Sequence, residues 1–186
     1  MKIRDYLNQN SSVGILAAVV LLVISLFIIY RQLTGSGGGP RITELYYYDL
    51  NTGRVFVAPI EAVPPIETDS GDYQGEPAGV RANIFACGSC RKSYAGMTPE
   101  EIESAGADLA YLQKYPPDAK AAIERSRSGE AGQQDYLAAE QELYSAVYED
   151  EWYHVYEDAE QIGQLTQIDL DCPEDKRPKV CFPGRQ

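Results

Sequence analysis

A nucleophile that needs an imidazole has one choice in this chain, because His154 is its only histidine. A Ser–His or Cys–His pair would have to use it, and no neighbouring sequence supports such a pair. We read His154 as a strand-surface residue. Basic charge is also short: 16 Lys and Arg face 28 Asp and Glu, a net charge of −12. Residues 1–40 carry +2 (Lys2, Arg4 and Arg31 against Asp5), which leaves −14 for residues 41–186. That balance argues against nucleic acid as a partner and against a domain lying flat on anionic lipid. The acidic runs Glu149-Asp150-Glu151 and Glu157-Asp158 lack the alternating ligand spacing of a calcium loop and read as a solvated turn and a helix start. No acylation motif opens the chain, no lipidated cysteine follows its apolar run, and no repeat of fixed period recurs. Phenylalanine is scarce, four against fourteen tyrosines. Tyr46, Tyr47 and Tyr48 are consecutive in a strand and must point to both faces, so exposure of some is expected. Such tyrosines suit an interaction surface, since each buries area and keeps a polar tip.

The first thing present is an apolar N-terminus. Residues 13–30, VGILAAVVLLVISLFIIY, are eighteen uncharged residues, and Ser11 and Ser12 extend the run to twenty. At 1.5 Å per residue this matches the ~30 Å hydrocarbon core of a bilayer. A cleaved signal peptide has an apolar core of about 7–15 residues and then a small-x-small site; this run ends in Tyr30-Arg31-Gln32-Leu33. We assign a single-pass anchor at 11–33, a Gly-rich linker at 34–40 and an acidic domain at 41–186. Lys2 and Arg4 favour a cytoplasmic N-terminus, placing the chain at the cell membrane with its C-terminal domain outside the cytoplasm.

The domain reads as α+β, mainly an antiparallel sheet with two or three short helices. Residues 42–48 and 54–58 form a hairpin around the turn residues Asp49, Asn51 and Gly53. Residues 59–79, rich in proline and glycine, form an irregular loop. Residues 80–87 alternate as a strand, and a short strand is expected at 92–95. Thr98-Pro99 opens a helix, 109–115 is a strand, and Pro116-Pro117-Asp118 opens a helix ended by Gly129. Residues 133–157 fit two patterns: Tyr136, Leu143, Tyr144, Val147, Trp152 and Val155 suit a helical stripe, and 143–156 equally suits a hairpin; we expect a helix to about 139 and then the hairpin. A short helix at 158–164 and a strand at 165–170 complete the expectation.

The candidate site is made of the four cysteines, Cys87-Gly-Ser-Cys90 and Cys172-x₈-Cys181. Two cysteines from each of two loops suit tetrahedral zinc, so Cys87, Cys90, Cys172 and Cys181 form a possible metal set. In an oxidising compartment the same four pair as disulfides, with three connectivities open. Cys87 with Cys172 and Cys90 with Cys181 is natural if the two segments neighbour each other. A third reading is a thiol–disulfide oxidoreductase, which needs Cys87 at a helix N-terminus to lower its pKa. Gly96 and Pro99 follow too closely for a helix beginning there.

The apolar N-terminus is followed by Tyr47-Tyr48-Asp49, by Thr52-Gly53 with Phe56-Val57, and by Pro64-Pro65. Then come Val80-Arg81-Ala82 with Phe85 and Cys87, Tyr111-Leu112 to Lys114-Tyr115 with Pro117 and Ala119-Lys120, and Cys172-Pro173. In this order the chain resembles a set of small, uncharacterised membrane-anchored proteins of planctomycete bacteria. The resemblance spans most of residues 12–173 and favours the hairpin at 143–156. It implies no activity and does not carry Cys90 or Cys181. The sequence therefore points to a membrane-tethered interaction or structural domain of the cell envelope, stapled by zinc or by disulfides, whose partners are the membrane and another envelope protein. No catalytic residue or organic cofactor is assigned. The alternatives are the oxidoreductase and a pilin-like assembly subunit; the latter usually carries a glutamate just inside the apolar run, and none follows Gly14 here.

Overall fold

The computed structural model describes residues 11–34, 42–146, 151–160, 162 and 172–184, with side chains in the N-terminal helix described over 19–30. The chain divides into two compact units, Met1–Arg41 and Ile42–Gln186. The first contains helix α1, Ser11–Thr34. All twelve of its described side chains are exposed, so the helix presents apolar surface on every face. The Ser25 hydroxyl donates back to the Leu22 carbonyl at 2.9 Å. Among the described residues no helix is long and apolar enough to cross a membrane. Side chains are described over only twelve of the 24 residues of α1, roughly 18 Å of its length. The linker expected at 34–40 lies almost entirely outside the described residues.

The second unit is α+β and mainly antiparallel, as its residue pattern requires. Strand β1, Glu44–Asp49, pairs with β2, Arg54–Pro59, in the register Glu44↔Pro59 to Asp49↔Arg54. The turn between them closes because Asp49 Oδ1 accepts from the backbone N–H of Asn51 (2.9 Å) and of Thr52 (3.4 Å), while Gly53 takes φ +66°. The Ser70 hydroxyl donates to the same oxygen at 2.8 Å. Burial pushes the Asp49 carboxyl up, but these hydrogen bonds to its charged form outweigh burial and leave it below the ordinary aspartate value.

Strand β5, Gly79–Cys87, is the centre of the sheet. One of its edges pairs with β6, Ala107–Lys114, across a bulge at Asn83/Ile84. Its other edge is shared: β1 covers residues 79–81, and β9, Pro178–Val180, covers residues 85–87. With β7 at Tyr144–Ala146 and β8 at Tyr153–His154, the strand order is β2-β1-β5-β6-β7-β8, and β9 pairs with β5. Strands β7 and β8 form the hairpin expected within 143–156. A second, two-stranded sheet, β3 (Asp72–Tyr73) with β4 (Glu76–Pro77), interrupts the loop expected at 59–79.

The tyrosine run corrects the expectation of exposed rings. Tyr46, Tyr47 and Tyr48 are all buried, at 2%, 0% and 5% exposure. Tyr46 and Tyr48 join the main core with Val55, Val80, Ile84, Ile102 and Leu112, while Tyr47 points the other way into a cluster with Leu45 and Ala58. Both faces of β1 are therefore covered. Each buried phenol is satisfied: Tyr47 donates to the Ala62 carbonyl at 2.6 Å, and the Tyr46 oxygen accepts from the Tyr94 N–H at 3.2 Å. Burial raises the pKa of both.

The helices begin and end as their capping residues dictate. Helix α2, Pro99–Ser104, starts in a capping box: Glu101 N–H donates to Thr98 Oγ1, and the Glu101 carboxylate accepts from Thr98 N–H. Helix α3, Pro117–Arg127, ends before Gly129, and α4 is Gln133–Gln141. They pack through Ala119, Ile123 and Ala139 over Val63. Lys120 ties α3 to the loop by donating to the Val63 and Pro65 carbonyls. No strand forms at 92–95, because Tyr94 turns inward to pack edge-on against Tyr46. Of the helix expected at 158–164, Ala159, Glu160 and Ile162 are helical, and the strand expected at 165–170 lies outside the described residues.

Candidate functional site

The four cysteines converge. Cys87 bonds Cys172 and Cys90 bonds Cys181, with Cα–Cα separations of 5.4 and 5.5 Å across 85 and 91 residues. The mechanism of convergence is the shared edge of β5. Antiparallel pairing sets Cys87 opposite Pro178 and Phe85 opposite Val180, and the Cys181 N–H donates to the Ile84 carbonyl at 2.8 Å. Past Cys87 the chain reverses at Gly88, with φ +89°. A Cβ there would lie 3.2 Å from Lys176 Cδ, so the lysine stem lies directly across the turn. Gly184 N–H to Lys92 carbonyl, 3.1 Å, closes the far end.

This bonding corrects the zinc reading. A sulfur in a disulfide has no thiolate to offer a metal, and among the described residues no group of three or more His, Cys, Asp or Glu side chains could hold one. Cys87 and Cys90 also lack the oxidoreductase arrangement. Each is bonded to a C-terminal cysteine rather than to the other, and the next helix begins only at Pro99. Among the described residues no helix begins at Cys87.

Tyr94 links this junction to the core and carried no sequence signal beyond its residue type. Its hydroxyl accepts from the Arg91 N–H at 3.0 Å and lies 3.9 Å from Cys181 Sγ. The junction also gathers Arg91, Lys92, Lys176, Arg177 and Lys179, all exposed.

His154 is buried, not on a strand surface. Its Nδ1 accepts from the Glu157 N–H at 3.1 Å, its own backbone N–H donates to Asp158 at 2.9 Å, and its ring meets Tyr144 edge-on. Nε2 faces Glu142 at 3.6 Å. These contacts close the β8 end, and among the described residues none of them is to a serine, threonine or cysteine side chain. Of the acidic runs, Glu157 and Asp158 serve this closure, and residues 149–150 lie outside the described residues.

A cleft of about 270 Å³ is lined by Tyr73, Gln74, Glu76, Val80, Lys114 and Trp152 among others. Lys114 Nζ sits 2.8 Å from Glu76 and 4.7 Å from the centroid of the Trp152 ring. Its charge is thus neutralised within the cleft, which falls below the ~300–1,000 Å³ of typical ligand pockets. The arrangement locks the β3–β4 sheet onto β6. No family model, curated protein or solved structure matches this chain.

Proposed function

We propose that this chain is a membrane-tethered domain of the cell envelope that acts by binding or by structural support. The observation that carries this reading is the bonding of all four cysteines in two long-range disulfides. Such bonds form and persist in oxidising compartments and are rare where thiols are kept reduced. The tether rests on the uncharged run at 13–30 and on the exposed side chains of residues 19–30, which are apolar except for Ser25 and the Tyr30 hydroxyl. The Ser25 hydroxyl, bonded within its own helix, fits an apolar surrounding.

Two measurements test the reading. A reporter active only in the cytoplasm, fused after Gln186, should be inactive, since the flanking charges favour an inside N-terminus. The full chain should resist alkaline extraction from membranes. An active reporter would place the domain in the cytoplasm, and extraction into the soluble fraction would remove the tether.

A further inference from the structure

The net charge of residues 41–186 predicts repulsion from anionic lipid, but the charge is not evenly spread. The two segments joined by the disulfides, residues 87–93 and 172–184, hold Arg91, Lys92, Lys176, Arg177 and Lys179 against Glu174 and Asp175. This junction is net +3 in a chain of −12, so the remainder carries −15. All five cations are exposed, and none forms an ion pair among the described residues, whereas Arg54, Lys114 and Lys120 each meet a glutamate. Sequence separates the two halves of this patch by about eighty residues; the β5–β9 pairing and the two disulfides assemble it.

We propose that this disulfide-clamped basic junction is a docking face for an anionic phospholipid surface. The proposal rests on the tethered reading above. The field of an anionic membrane decays within a Debye length, about 10 Å at 0.1 M salt. A domain of 145 residues, with a radius of gyration of about 15 Å, is several such lengths across. Lipid therefore interacts with the face turned toward it, and acids on the far side are screened. Each Lys or Arg near such a surface adds a favourable increment. Seven residues, 35–41, separate α1 from the domain, a covalent reach of at most about 30 Å. That reach keeps the junction at high effective concentration next to the headgroups, so weak attraction suffices to orient the domain. An extended polyanion such as nucleic acid would run past the junction and meet the acidic remainder.

The test uses the full chain mixed with vesicles of phosphatidylcholine, or of phosphatidylcholine with phosphatidylglycerol, followed by flotation and lysine acylation read by mass spectrometry. On the mixed vesicles Lys92, Lys176 and Lys179 should label at least about threefold more slowly than on phosphatidylcholine, while the half-buried Lys114 and Lys120 should label at the same rate on both. Protection should vanish at ~1 M salt, where the Debye length is about 3 Å. It should also vanish in the double variant Arg91→Glu, Arg177→Glu, which keeps all three lysine reporters. Flotation with both vesicles but equal labelling overturns the docking face and leaves the tether standing. Flotation with mixed vesicles alone removes the tether and supports the docking face. No flotation removes both. Slowing of all five lysines alike, or protection that survives in the double variant, also overturns the proposal.

Discussion

Strands β1 and β9 pair with the same edge of β5 and are held there by opposite means. Five of the six residues of β1 are buried, on both of its faces; all three residues of β9 are exposed. β1 stays because three tyrosines lose their water. A buried aromatic side chain removes ~150–250 Å² from solvent, several kcal/mol each at ~25 cal/mol per Å². β9, with the sequence Pro-Lys-Val, offers no such area. Its place is kept by covalent bonds at Cys172 and Cys181 on either side. A strand can thus belong to a sheet by burial or by cross-linking, and this domain uses one device at each end of a single edge.

The largest effect is expected from removing the cross-links altogether. One disulfide closes a loop of 85 residues, worth about 4.6 kcal/mol of unfolded-state freedom on the chain-entropy account. With it in place, the other closes only the ring through residues 87–90 and 172–181, about 14 residues and roughly 3 kcal/mol. Replacing all four cysteines by serine should therefore cost up to about 7 kcal/mol in urea unfolding. It should strip hydrogen-exchange protection from the backbone N–H at position 181 before that of β1. Equal loss of protection at both strands would break the distinction between them.

Next, Tyr47→Ala should cost about 4 kcal/mol, in the range of other buried aromatic truncations. A loss below about 1 kcal/mol would mean that β1 also depends on the disulfides rather than on burial. Removing a single disulfide, as in Cys90→Ser with Cys181→Ser, should cost about 3 kcal/mol, less than half of the quadruple change, because the parallel bond still closes the long loop.

A smaller effect separates the strands by pH. The Asp49 carboxylate at the end of β1 is held below its ordinary pKa in the folded state. Its contribution is fully present above the unfolded-state value and is lost as pH falls through the folded-state value. Asp49→Ala should cost about 1–3 kcal/mol near neutrality, and this difference from the parent should shrink in acid. A constant difference down to strong acid would show that its charge is not the cause. Smallest of all, Val180→Ala in β9 should change stability by no more than about 0.5 kcal/mol, since Val180 is 41% exposed.

Much of the fold was legible wherever neighbouring residues carry the signal. The β1–β2 hairpin follows from Asp49, Asn51 and Gly53, the start of α2 from Thr98, Pro99 and Glu101, and the end of α3 from Gly129. The hairpin after α4 was also readable, from Tyr, Val and Trp taking over from Ala, Gln and Glu. What went unread was set by distant partners. Tyr94 has the composition of a strand residue but turns inward to Tyr46. β9 has no strand pattern and exists because β5 offers it a free edge. The cysteines were visible as a set, yet a zinc cluster and two disulfides require the same gathering of segments, and only the bonding distinguishes them.

By itself the sequence determined the local turns and caps, the uncharged run at 13–30, the acidity of the domain and its α+β class, since each depends on residues within a few positions of one another or on simple sums. Tertiary structure alone decided that Tyr46, Tyr47 and Tyr48 are covered on both faces, that Cys87 meets Cys172 and Cys90 meets Cys181, and that two segments carrying five exposed cations are cross-linked to each other. The physical reason is distance along the chain. These features join segments as far as 91 residues apart, and their energy appears only once β5 has brought both sides to the same edge.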